Sequence, residues 1–267
     1  MPVVGVSCAW SIETWGASDA GHGHVYAEMA YVEAVARSGG LPVLVCPAGS
    51  GRSEILARET IAMLDGLLLT GGGDARRFDG RDVPSLADQQ PARHKYETLL
   101  VTEAAGRGIP VLGICRGHQT IAEVLGGRVA TIDSAGHRNP QPPFETRHGI
   151  RVEPRSWLGA ACGAEPWVVP SIHRQVVVAP PVGFRVSAVG PDEAIEAIES
   201  VGGDFLLGVQ FHPEIVFPDD DRAKRLFRAF VDECSTRAGR SRGAPRGPRW
   251  RRAVEGLQCP DPGSTER

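Results

Sequence analysis

No stretch of this chain is both long and apolar enough to span a membrane. The opening run, Met1-Pro2-Val3-Val4-Gly5-Val6, lacks the basic region and the length of a secretory leader. Those two absences lead to the expectation of a soluble, cytoplasmic protein with no membrane partner. A Cys-x-x-Cys pair is also missing. The six cysteines, Cys8, Cys46, Cys115, Cys162, Cys234 and Cys259, are irregularly spaced, so the common zinc and redox signatures are absent. A chain of 267 residues that is 42% hydrophobic has core enough without a disulfide framework, and reduced thiols are expected. Cys8 and Cys46 lie at the ends of apolar runs and read as core. The body also lacks an excess of basic charge. Residues 236–267 carry eight arginines and three acids, a charge of +5, which leaves −8 on the rest of a chain whose total is −3. A mildly acidic body gives no nucleic-acid footprint. Nor is there a linker that divides the chain. Residues 1–235 read as one domain. Residues 236–267, rich in Arg, Gly and Pro and without periodicity, read as a disordered tail.

What is present is an alternation of short apolar runs and amphipathic segments. Val3 to Ser7, Leu41 to Cys46, Gly66 to Thr70 and Ile109 to Ile114 are predicted strands. Between them, helical spacing covers Val25 to Ser38 (ended by Gly39-Gly40), Glu54 to Leu64 (capped by Ser53) and Arg93 to Arg107. Ala9 to His24 and Ala75 to Pro91 read as loops. Strands alternating with helices on this spacing imply an α/β fold, a three-layer α/β/α sandwich whose central sheet is mainly parallel. Ligands in such sheets bind at the carboxyl ends of the strands. After Gly127 the pattern turns β-rich. Gly149 to Glu153, Trp167 to Pro170, Phe184 to Ala188, Ala194 to Glu199 and Phe205 to Gln210 are strand-like, with room for antiparallel pairs, and Asp219 to Cys234 is a closing helix.

The chain is organised around Gly113-Ile114-Cys115-Arg116-Gly117-His118-Gln119. An apolar strand stops at Cys115, and a helical segment begins at once. Gly-x-Cys-x-Gly at such a corner is a thiol version of the nucleophile elbow. The following helix points its N-terminus at the sulfur, which favours the thiolate. A cysteine nucleophile needs a base, and the base needs an orienting group. His212 and Glu214, in Gln210-Phe211-His212-Pro213-Glu214 after another apolar run, fit both needs. In an extended stretch their side chains face the same way. Gly71-Gly72-Gly73 follows a buried strand, and its amides can approach a substrate closely. With the amide of Arg116 they are candidate oxyanion donors.

Taken together, Thr70-Gly-Gly-Gly-Asp74, Gly113-Ile-Cys-Arg-Gly-His-Gln119 and Gly208-Val-Gln-Phe-His-Pro-Glu214 resemble the class I glutamine amidotransferase superfamily, whose fold is flavodoxin-like. Within it the sequence is most similar to the γ-glutamyl-γ-aminobutyrate hydrolase family, also called peptidase C26. Tyr31-Val-Glu-Ala-Val35, Gly39-Gly-Leu-Pro42, Ser171-Ile-His-Arg-Gln175 and Ile195-Glu-Ala-Ile-Glu199 extend the resemblance, which covers about residues 3–232. It implies a Cys115–His212–Glu214 triad and an oxyanion hole from the amides of Gly72 and Arg116. It also implies that Gln119 and Gly73 hold the glutamyl group, with Ser171 and His173 at the rim. The chain departs from the family at His173-Arg174, where two histidines are usual, at Arg93-His94, and after Asp74. Those departures bear on the side of the site that faces the released amine, where Trp10, Trp15 and the Ala75 to Pro91 loop are candidate walls.

The implied activity is thioester-mediated hydrolysis of a small γ-glutamyl amide, with no cofactor and no metal. Two alternatives stay open at this point. One is a glutaminase that supplies ammonia to a separate synthase. The other is a binding protein that keeps the fold without the reaction. A metal on Cys115, His118 and His212 lacks a third ligand at usual spacing. Assembly as a homodimer is left open.

Overall fold

The computed structural model describes residues 1–11, 23–47, 51–72, 83–131 and 147–239. Gly73, Trp15, the loop from Ala75 to Asp82, the proline-bearing stretch from Ser134 to Phe144 and the tail beyond Gly239 lie outside the described residues.

Five parallel strands form the first half of the sheet. They are β1 (Val3–Ser7), β4 (Leu41–Val45), β5 (Gly66–Leu69), β6 (Val111–Ile114) and β13 (Leu206–Val209), in the order β4-β1-β5-β6-β13. β5, β6 and β13 are buried at every position, which is why they read as unbroken apolar runs rather than alternating ones. The helices are α1 (Met29–Arg37), α2 (Ser53–Met63), α4 (Pro91–Arg107), α5 (Arg116–Val124) and α8 (Asp221–Gly239). Tyr31, Ala34 and Val35 of α1 join Leu226, Phe227, Phe230 and Val231 of α8 in one apolar cluster, while Ala57 and Ile61 of α2 join Leu100 and Ala104 of α4 in another. A mainly parallel sheet clothed by helices is the expected three-layer α/β/α architecture.

Beyond β13 the sheet becomes antiparallel. β12 (Ile195–Ser200) pairs with β13, β11 (Phe184–Val189) with β12, β8 (Arg147–Val152) with β11, and β9 (Trp167–Pro170) with β8. β10 (Gln175–Ala179) bridges β12 and β7 (Arg128–Thr131). Several elements differ from their sequence reading. β2 (Ala9–Ser11) and β3 (His24–Tyr26) form a small antiparallel ribbon where a loop was expected. That ribbon delays α1 from Val25 to Met29. Cys8 is buried as expected, but Cys46, just past the edge strand β4, is exposed. α2 begins at Ser53 with Arg52 as its N-cap and no capping side chain. Two short helices, α3 (Leu86–Gln89) and α6 (Trp157–Cys162), were not read from the sequence. Ser85 caps α3 and Ser156 caps α6, each hydroxyl accepting a first-turn N–H. The closing helix runs on to Gly239.

Candidate active site

The carboxyl ends of β5, β6 and β13 converge, and each brings one part of the site. At the end of β6, Cys115 has φ 52° and ψ −103°. A non-glycine residue there is strained by about 1–3 kcal/mol. Its neighbours hold it in place. The Cys115 N–H donates to Val209 O (2.8 Å), and Gln119 N–H donates to Cys115 O (3.2 Å) as the first bond of α5. The flanking glycines are demanded by contact. A Cβ on Gly113 would lie 2.5 Å from Gly117 O, and one on Gly117 would lie 2.3 Å from Leu69 O. The elbow thus closes against both its own helix and β5.

At the end of β13, His212 precedes a one-turn helix, α7 (Pro213–Val216), with Pro213 at its first position and Glu214 in its first turn. The expected extended stretch is therefore a helix start. The imidazole nonetheless meets the carboxylate, with Nδ1 of His212 2.6 Å from Glu214 Oε1, and the ring lies beside Cys115, which acts on its protonation. Burial alone would favour the neutral ring. The negative charge of Glu214, and that of Cys115 when its sulfur is ionised, outweigh it and hold His212 protonated well above the usual histidine range. The backbone of His212 is fixed by donation to Pro170 O (2.9 Å) at the end of β9.

At the end of β5, Gly71 passes between the other parts. A Cβ there would lie 2.9 Å from His212 Cε1 and 3.3 Å from the Cβ of Cys115. Gly72 has φ +81°, a conformation that suits glycine. Arg93, in the first turn of α4 and 1% exposed, holds this turn from behind. Its Nη2 donates to Thr70 O (2.7 Å) and Gly71 O (3.1 Å), and its Nη1 donates to Gly72 O (3.3 Å). Nε of Arg93 pairs with Glu97 (2.8 Å), which also accepts from Ser7 Oγ (2.7 Å). Among the described residues no peptide is cis, so an N–H points away from its own peptide's carbonyl. With Gly71 O drawn to Arg93, the Gly72 N–H faces away from the guanidinium. Arg116 occupies the first position of α5, where a helix leaves its amides without partners inside the helix.

The remaining expected residues are placed as follows. Gln119 is buried, and its Nε2 donates to Gln175 O (2.7 Å) and to Gln210 Oε1 (3.0 Å). Ser171 and His173, expected at the rim, are both buried. The strap they belong to runs past the sulfur, with Ile172 O 3.8 Å from Cys115 Sγ, while His173 turns towards Glu196. Trp10 is partly exposed, and its carbonyl accepts from Gln90 Nε2 (3.1 Å).

Three residues at the site were given no role from the sequence, although Arg93 was noted beside His94 as part of a departure from the family. Gln210 Nε2 lies 3.6 Å from Cys115 Sγ and donates towards it. The Tyr31 hydroxyl accepts the Gly71 N–H (3.0 Å) and faces Glu214. Its burial, and then that carboxylate, keep the phenol protonated far into alkali. Arg93 is the third. Only Gln210 leaves a signal, as a polar residue closing an otherwise apolar strand. Tyr31 looks like one more core position of α1, and Arg93 like a solvated helix residue.

A strained cysteine at a strand–helix corner, a histidine–carboxylate pair and a glycine turn over a parallel sheet define a hydrolase of the glutamine amidotransferase-like class. The chain belongs to the peptidase C26 family, whose model matches residues 2–214. It is 34% identical to the "Putative glutamine amidotransferase Rv2859c" of Mycobacterium tuberculosis over 92% of this chain and 79% of the relative. It is 28% identical to the γ-glutamyl-γ-aminobutyrate hydrolase PuuD of Escherichia coli K12, covering 80% of this chain and 88% of the relative. The fold is also that of a GMP synthase-type protein of Thermoplasma acidophilum, with a TM-score of 0.63 at 17% identity, over 91% of this chain and 98% of that one.

Proposed function

We propose that this chain hydrolyses the γ-glutamyl amide bond of a glutamylated amine or amino acid, with Cys115 as nucleophile. The observation that carries the reading is the hydrogen-bonded pair Glu214–His212 set beside Cys115 at the strained end of β6. The name of the PuuD relative points to the same bond.

In this reading the Cys115 thiolate attacks the side-chain carbonyl, and a bond forms between sulfur and carbon. The carbonyl oxygen takes the charge, facing the amides of Gly72 and Arg116. The carbon–nitrogen bond then breaks as His212 gives its proton to the departing amine. Water adds to the thioester, His212 takes the proton back from it, and the carbon–sulfur bond breaks to release glutamate. Glu214 holds the ring and supports its charged form. Gln119 is a positioning residue that aims Gln210 at the sulfur. Ser171 and His173 are assigned to the strap that borders the glutamyl end.

The test is glutamate release from a panel of γ-glutamyl amines, including putrescine-, aminobutyrate- and aromatic-amine-derived ones. Wild type is expected to turn over at least one of them. Cys115→Ala is expected to release no glutamate while keeping the wild-type circular dichroism spectrum. Release by that variant would remove Cys115 from the mechanism. A second reading is favoured by the name of the mycobacterial relative: a glutaminase that serves a separate synthase. Good turnover of free glutamine only in the presence of such a partner would select it.

A further inference from the structure

We propose that His148, His173 and Glu196 form a binding site for a zinc-type divalent cation, separate from the catalytic cysteine. The three come from distant segments. His148 lies on β8, His173 on the strap between β9 and β10, and Glu196 on β12. One ligand atom from each falls within 4.8 Å of the other two. Nε2 of His148 is 3.3 Å from Glu196 Oε1, and Nε2 of His173 is 3.5 Å from the same oxygen.

Those separations suit three ligands around one ion. A charge-assisted N–H···O bond draws its atoms to about 2.7–2.9 Å. Both imidazoles bond to one shared carboxylate oxygen, at separations longer than that. Two ligands each about 2.0–2.1 Å from a tetrahedral ion lie about 3.4 Å apart. The two measured separations bracket this edge. Two imidazoles and one carboxylate are also the ligand set of a zinc site with an open fourth position. The side chains of Glu196 and His173 are at most 1% exposed, and that of His148 is 8% exposed. An ion here would be shielded, with His148 marking the side nearest solvent.

A second observation points the same way. His118 is completely buried beside this cluster, within reach of the charges of Glu196 and His173. Its Nε2 has no hydrogen-bond partner among the described residues.

The site would also have a structural consequence. His173 follows Ile172, whose carbonyl touches the nucleophile. A bound ion would tie the strap to β8 and β12 and so fix one wall beside Cys115.

The experiment uses the full chain, stripped with a chelator and dialysed. Zn²⁺ is titrated by calorimetry, and Co²⁺ is followed by its visible absorption. The expected result is one Zn²⁺ per chain and tetrahedral Co²⁺ bands. Cys115→Ser is expected to keep both, because the sulfur is not a ligand. Glu196→Gln and His148→Ala are each expected to weaken Zn²⁺ at least tenfold, with folding checked by circular dichroism. If the Glu196 variant does not fold, His148→Ala decides, since its side chain lies at the open edge. No stoichiometric Zn²⁺ in wild type overturns the site. So does binding that disappears in Cys115→Ser, or binding that persists unchanged in His148→Ala.

Discussion

The proton between His212 and its neighbours is where the chemistry would be most exposed to measurement. Glu214 raises the His212 pKa against the effect of burial. Replacing it by Gln removes the main attraction and leaves the burial that favours the neutral ring. The protonated imidazole is then lost at lower pH. Glu214→Gln is therefore expected to move the alkaline limb of kcat/KM towards neutrality, read from a pH–rate profile on a γ-glutamyl amide. The stability contribution has a matching sign. It is fully present below the unfolded-state value, near 6.5, and is lost as pH rises through the raised folded-state value. Cys115, His212 and Glu214 were legible in the sequence because each sits at local punctuation, a glycine-flanked stop or a proline after a strand. Tyr31, Arg93 and Gln210 act across the fold. Their neighbours in sequence say nothing about the carbonyls, sulfur and carboxylate they reach.

Among the elements, the elbow is the most tightly constrained. Gly117 lies against the backbone of β5, where no side-chain movement can make room. Gly117→Ala is expected to cost about 1–3 kcal/mol of stability through overpacking, seen as a lower urea midpoint with an unchanged slope. The buried parallel strands were legible because each is a continuous apolar run of strand length. β7 and β10 were not. β7 is only half-buried, and its pairing is fixed by β10, more than forty residues away in sequence. β10 begins at Gln175, inside a stretch read as a motif rather than as a strand. Short ladders set by tertiary pairing leave little periodicity to detect. The cation cluster was invisible for a similar reason, since residues 148, 173 and 196 show no ligand spacing.

For the whole molecule, the change from parallel to antiparallel pairing does not divide the core. One apolar cluster runs from Val4, Tyr31 and Leu68 through Ile114 to Trp167, Ala197, Phe211 and Phe227. Trp167 packs edge-on against Phe211, and Phe217 against Phe227, tying β9 to the segment before α7 and the end of α7 to α8. Each fully buried Phe stabilises the fold by about 1.5–3 kcal/mol, and Phe205, Phe211, Phe227 and Phe230 sit in the cluster that both halves share. A single cooperative transition is expected, with near- and far-ultraviolet circular dichroism melting together. Two separated transitions would mean that the halves fold as independent units. Among the described residues, no helix is long and apolar enough to cross a membrane.

The grip of Arg93 on three successive carbonyls has a consequence for how the protein would work. A turn anchored from inside its own chain needs no second protein to set its peptide planes. The resting molecule would already hold the catalytic arrangement, and turnover would be an intrinsic property of the isolated polypeptide. The purified chain is accordingly expected to show the same rate per molecule on its γ-glutamyl substrate whether assayed alone or in cell extract. A rate that rises severalfold on adding extract would mean that the turn is set from outside.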